Sequence, residues 1–186
     1  MKETRICIIG GGSRLWAIQF FKDLAYAKMT HGTVVLHDID HKAAVNNVSV
    51  GVQTFRVNES EGRFRFTCED NLEKALEGVD LVIISIEPGS IECRRGDLVL
   101  PEEYGILQSV GDTTGPGGIM RARRALPMFF SFAKAIEKVC PKAWVINYTN
   151  PMTLCTAALY KAFPGIKALG CCHEVFHTET FLAEKV

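Results

Sequence analysis

The most metal-like cluster in the sequence is Gly170-Cys171-Cys172-His173-Glu174, where thiolate, imidazole and carboxylate, all competent ligands for a divalent transition ion, stand side by side. Neighbouring residues rarely all reach one ion, and alternation along an extended segment sends Cys171 and His173 one way and Cys172 the other. One true ligand is therefore predicted here, the alternative being buried cysteines beside a helix start. A second group, Asn147-Tyr148-Thr149-Asn150-Pro151, ends an apolar run. Asn150 either caps the helix that Pro151 opens or turns its amide, donor and acceptor at once, toward a substrate hydroxyl or a cofactor ribose. A third group, Gly10-Gly11-Gly12-Ser13, joins strand-like Ile6-Cys7-Ile8-Ile9 to an apolar run that opens at Leu15. Glycines there let backbone N–H groups approach phosphate oxygens, with the positive end of a helix dipole behind them. The dinucleotide fingerprint G-x-G-x-x-G is met at Gly10 and Gly12, with Leu15 where its third glycine would stand. A tight turn that binds nothing is the alternative.

Asp38 closes the second strand-like run, the place from which a carboxylate hydrogen-bonds adenosine ribose hydroxyls and repels a 2′-phosphate, so NAD is predicted over NADP. Its distance from the glycines is longer than usual, which a surface turn at His31-Gly32 explains. After the fourth run, Glu87 begins a Pro88-Gly89 turn that is placed on the nicotinamide side of a cleft. The glycine-dense stretch Gly111-Asp112-Thr113-Thr114-Gly115-Pro116-Gly117-Gly118 lets backbone come close to an anionic ligand. Arg121, Arg123 and Arg124 beyond it read either as partners of that ligand or as a solvated basic face. Upstream, Arg94, Arg95 and Asp97 add charge, and either arginine could meet a carboxylate bidentately.

The elements that must position these groups alternate. Strand-like runs at 5–9, 34–37, 64–67, 81–85, 144–147 and 168–170 are separated by stretches that read as helices. That rhythm predicts an α/β fold, a doubly wound, mostly parallel Rossmann-like sheet with helices on both faces, whose ligands sit beyond the carboxyl ends of the strands. Leu15, Ile18, Phe21 and Leu24 recur at three-residue steps and are assigned to the core. Helices are predicted at 71–76, closed by Gly78, at 119–139 and at 178–186. Residues 87–118 are predicted to form one long irregular stretch, of the kind that is usually functional.

At 186 residues the chain is predicted to be a single domain with a respectable core. Twenty-one basic residues balance twenty-one acidic ones, so no global field attracts nucleic acid or an anionic membrane, and small-molecule chemistry is the default. No apolar run reaches the roughly 18–20 residues of a membrane span, and Met1-Lys2-Glu3-Thr4 leads straight into a strand, so a soluble, cytoplasmic protein is predicted. Seven scattered cysteines do not make a disulfide framework.

Together the glycine turn, Asp38-Ile39-Asp40, Val110 to Gly118, Ile146-Asn147-Tyr148-Thr149-Asn150-Pro151-Met152 and Gly170 to Glu174 resemble glycoside hydrolase family four, in order and over essentially the whole chain. The long runs look nearest to its α-galacturonidase branch. The resemblance implies a hydrolysis outside the usual two-carboxylate scheme. NAD takes hydride from sugar C3, the ketone acidifies the C2 proton, the aglycone leaves C1 by elimination, water adds and the hydride returns, while a divalent ion, typically manganese, acts as a Lewis acid on sugar O2 and O3. Carried over by position, Cys172 matches the metal-binding cysteine, Asn150 the substrate-contacting asparagine, and Gly10, Gly12 and Asp38 the nucleotide site; Ser13 of the glycine turn and Glu87 of the turn after the fourth run complete the candidate cofactor residues. Asp112 and Arg94 join the substrate group, Arg94 where the phosphosugar branch has a substrate-contacting arginine. His173 takes the place of the general acid. The family's metal-binding histidine and catalytic tyrosine belong to a C-terminal half that is not matched here, so residues 1–186 are expected to form a nucleotide-binding domain that binds metal poorly and turns over little by itself, and a homo-oligomer when complete. The competing readings are an NAD-dependent dehydrogenase of the lactate or malate type, which shares the Asn-Pro turn but uses no cysteine-bound metal, and an inactive NAD-binding module.

Overall fold

The computed structural model describes residues 3–27, 30–172 and 174–185. Six strands, β1 (Thr4–Ile9), β2 (Gly32–His37), β3 (Phe64–Cys68), β4 (Leu81–Ile84), β5 (Trp144–Asn147) and β6 (Lys167–Gly170), form one sheet in the order β3-β2-β1-β4-β5-β6, with every pair parallel. The chain winds outward from β1 through β2 and β3, then crosses back to β4 and winds the other way. The reversal falls between β1 and β4, where the connections leave in opposite directions and a crevice opens beyond the strand ends. This is the doubly wound, Rossmann-like arrangement that the alternating pattern predicted.

Among the described residues there are seven helices: α1 (Trp16–Tyr26), α2 (His41–Val57), α3 (Leu72–Leu76), α4 (Ile91–Glu102), α5 (Gly115–Val139), α6 (Met152–Ala162) and α7 (Glu174–Ala183). β1 and β4 are buried on both faces and so read as continuous apolar runs. Their pleat divides the core in two. Ile6, Ile8 and Ile83 pack with Phe64 and Phe66 under Ala17, Phe21 and Ala25 of α1 and Phe55 of α2. Cys7, Ile9, Val82 and Ile84 pack under Phe129, Phe132 and Ile136 of α5 and Leu159 of α6.

Three sequence expectations are corrected here. Leu15 is 71% exposed rather than core, because α1 begins one residue later and buries Ala17, Phe21 and Ala25, which recur at four-residue steps. His31-Gly32 is not a surface turn: Gly32 is buried and opens β2, in register with Thr4. Residues 87–118 are not one irregular stretch, since α4 occupies their middle, with Ser90 as its N-cap accepting from the Cys93 N–H at 3.4 Å, and α5 starts at Gly115 rather than 119.

Candidate functional site

A cleft of about 640 Å³ opens beyond the carboxyl ends of β1, β4 and β5, within the roughly 300–1,000 Å³ of small-molecule sites. Its first wall is the glycine turn. Gly10 and Gly11 both donate to the His37 carbonyl, at 2.9 and 3.0 Å, which binds the turn to the end of β2. Space decides the residue type: a Cβ on Gly10, whose φ is +95°, would lie 1.9 Å from the Ser85 carbonyl oxygen, and one on Gly11 would lie 2.8 Å from Leu36 Cβ. Ser13 Oγ accepts from the N–H of Trp16, the first residue of α1, at 3.1 Å. Asn47, on the buried stripe of α2, donates its amide to the carbonyls of Gly11 at 2.8 Å and Ser13 at 2.9 Å. This clamp was missed in the sequence, where its one signal is a polar residue among the core positions Ala44, Gly51 and Phe55.

Asp38 is tied to the same wall. Its Oδ2 accepts from the Gly12 N–H at 2.8 Å and its Oδ1 from the Asp40 N–H at 2.9 Å. Each oxygen keeps a lone pair, so the carboxylate is held in place and still able to accept from a ligand. Arg14 and Ile39, the latter 92% exposed, line the cleft beside it, a cation and an apolar surface that the sequence reading did not select.

The opposite wall is an ionic frame. Arg121, 5% exposed, reaches from α5 to grip both carboxylate oxygens of Glu87, Oε2 at 3.1 Å, and donates Nε to the Asn150 carbonyl at 3.0 Å. Arg94 stands 3.6 Å from the same carboxylate. Arg124 holds both oxygens of the buried Asp97 and donates Nε to the Pro88 carbonyl at 2.8 Å. The reading of these arginines as a solvated face is thus overturned for Arg121 and Arg124, while Arg123 is exposed.

Asn150 does not cap a helix: Pro151 is the N-cap of α6 and makes no side-chain cap bond. The Asn150 amide instead donates to Asp112 Oδ2 at 3.1 Å. The turn around it is built by buried Asn147, whose Oδ1 accepts from the Thr149 N–H at 2.8 Å, and by Thr149 Oγ1, which accepts from the Ile86 N–H at 3.0 Å. β4 and β5 therefore end in one braced ledge.

At the end of β6, Cys171 is half-buried and Cys172 exposed, and both line the cleft. β6 ends at Gly170, so both cysteines lie beyond the strand. Burial, and then a hydrogen bond with Cys171, push the Tyr148 phenol up to about 12. His173, expected as the general acid, lies outside the described residues. Among the described residues no group of three or more His, Cys, Asp or Glu side chains is arranged to hold a metal ion, and no helix is long and apolar enough to cross a membrane.

Sheet order and cleft define a Rossmann-like α/β protein with its ligand crevice at the strand reversal. The chain belongs to the family 4 glycosyl hydrolases, whose profile matches residues 5–186. It is 51% identical over 184 residues to an alpha-galacturonidase of Thermoanaerobacter italicus and 50% identical over 186 residues to one of Bacillus subtilis, matches that cover 99% and 100% of this chain. The same matches cover 39% and 41% of those relatives, so the chain spans about two fifths of the length of the curated relatives it matches. Among solved structures, the 6-phospho-beta glucosidase of Thermotoga maritima with manganese, NAD+ and glucose-6-phosphate superposes with a TM-score of 0.81 at 26% identity, over 98% of this chain and 43% of that one.

Proposed function

We propose that this chain forms the NAD-binding part of a divalent-metal-dependent glycoside hydrolase acting on an α-galacturonide or a related α-glycoside. The observation that carries the reading is the union, in one cleft, of the glycine turn and Asp38 with Asn150, Asp112, Arg94 and Cys172. The nucleotide end fits its ligand: a turn closed against any side chain at Gly10, a carboxylate fixed by two backbone N–H groups with lone pairs to spare, and Arg14 beside them for a diphosphate. When bound, NAD+ supplies a reversible hydride acceptor at the sugar. The protein's own contribution is orientation. Asn150, held by Asp112 and by Arg121 through its carbonyl, presents an amide to the sugar, and Glu87 keeps Arg94 at the mouth. The described residues do not complete a metal site. Cys172 would contribute one thiolate, and no step is derived through the metal.

Asp38→Ala is expected to lower NAD+ affinity about ten- to a hundredfold, because a carboxylate acceptor for ribose hydroxyls is worth about 1.5–3 kcal/mol. It should also erase the preference for NAD+ over NADP+, both measured by calorimetric titration. Equal affinity of the wild type for the two nucleotides would remove Asp38 from the ribose site. The reaction class is tested by assaying an aryl α-galacturonide with NAD+ and manganese, following aryl release and absorbance at 340 nm together. Aryl release, however slow in this chain alone, without net NADH is the expected pattern. Steady NADH accumulation from free galacturonate would make the protein a dehydrogenase.

A further inference from the structure

An aromatic side chain stands in the wall of the cleft beside the glycine turn. Trp16, the first residue of α1, follows directly on the glycine turn, lines the cleft and is 41% exposed. Its ring lies 6.0 Å from that of Tyr148, tilted by 31°, and Tyr148 is anchored through its backbone N–H to the Ile84 carbonyl at 2.8 Å. Behind the pair is a hollow of about 60 Å³ lined by Ile8, Phe20 and Ile83 together with Gln19, Asp23 and Ser85, so the indole is backed by apolar and polar groups of α1 and the sheet. A dinucleotide with its diphosphate on the glycine turn and its adenosine ribose at Asp38 has its other riboside directed away from Asp38, toward the ends of β4 and β5 where Tyr148 stands.

We infer that Trp16 is the wall against which the nicotinamide packs, and that its indole favours the oxidised, cationic ring over the reduced, neutral one. This rests on the reading of the glycine turn as an NAD site. Indole has the most electron-rich face of the aromatic side chains, and a cation within about 6 Å of it is attracted by the ring quadrupole. NADH carries no charge on that ring and gains only stacking. Such discrimination suits a cofactor that must begin each turnover oxidised.

The chain has two tryptophans, and Trp144 lies at the amino end of β5, opposite the cleft, so Trp144→Phe leaves Trp16 as the one tryptophan, excited selectively at the red edge beyond tyrosine absorption. Titrating that variant, NAD+ is expected to change Trp16 emission and AMP, which fills the adenosine end alone, to leave it unchanged. In calorimetry Trp16→Leu should weaken NAD+ about tenfold, the effect of losing about 1.4 kcal/mol of stacking and cation–π attraction, NADH by clearly less and AMP not at all. Trp16→Phe should keep part of the affinity and lose most of the redox preference, with circular dichroism confirming that both variants fold. NAD+ binding without any change in Trp16 emission, or equal losses for NAD+, NADH and AMP in both variants, overturns the role of Trp16 alone. Absence of NAD+ binding to folded wild type overturns the nucleotide reading itself and this inference with it.

Discussion

Gly10→Ala is expected to cost about 4 kcal/mol or more of stability and to abolish nucleotide binding. The added Cβ would sit 1.9 Å from the Ser85 carbonyl oxygen and 2.7 Å from its carbon, with φ at +95° besides. Ser85 follows directly on β4, and its N–H is bonded to the Ile9 carbonyl at 2.9 Å, so neither partner can retreat without parting β1 from β4. Those strands carry the core on both faces of the sheet. For a chain of this size such a loss lowers Tm by about 8–16 °C. Gly62→Ala is the control. Gly62 also has a positive φ, +79°, but nothing lies within 4 Å of its Cβ position, so only backbone strain of about 1–2 kcal/mol is expected. Thermal melts of the two variants side by side separate close approach from strain, and equal melting temperatures would show that the turn is not packed against β4 as described.

Arg124→Ala is the second large effect. Asp97 is 7% exposed, and both its carboxylate oxygens are held by Arg124, whose side chain is itself about a quarter exposed. Removing the arginine leaves a buried carboxylate without its cation and frees the Pro88 carbonyl as well. Breaking a fully buried pair costs about 3–5 kcal/mol, and the partial exposure of Arg124 reduces the expectation to about 2–4 kcal/mol. The loss should concentrate in α4, which buries only Asp97 and Pro101 and is joined to α5 by this pair. Hydrogen exchange of 91–102 is therefore expected to accelerate more than that of the sheet. The double change Asp97→Leu with Arg124→Met removes both charges together and should recover most of the lost stability. A double variant no more stable than Arg124→Ala alone would mean that the pair acts through something other than the buried charge.

These two sites also mark what was legible in the sequence. The sheet was: alternating apolar runs and turn residues predict six strands, and parallel pairing follows from the helices between them. β5 was placed to the residue, and the other strands within two residues at each end. The position of the glycine turn and Asp38 at the strand ends was legible because each lies within a few residues of a strand. α4 was not, because it lacks the apolar stripe that reveals most helices: its buried positions are an aspartate and a proline, and Gly96 lies in its middle. The arginine frame was equally hidden, since Arg121 meets Glu87 across 34 positions and Arg124 meets Asp97 across 27. Nothing in the local run Arg121 to Arg124 distinguishes a buried guanidinium from a solvated one. Asn150 shows the same limit from the other side. Asn-Pro before an apolar run predicts a cap, and only the fold brings Asp112 to the amide that would have done the capping.

The most direct measurement is a crystal structure of this chain grown with saturating NAD+ and galacturonate. The dinucleotide is expected in the cleft, with its adenosine ribose on Asp38, its diphosphate at Gly10 to Ser13, and the sugar beside Asn150. A dinucleotide seated instead in the open groove that Tyr26, Val50 and Val57 line between α1 and α2, or an empty cleft at saturation, would contradict the reading.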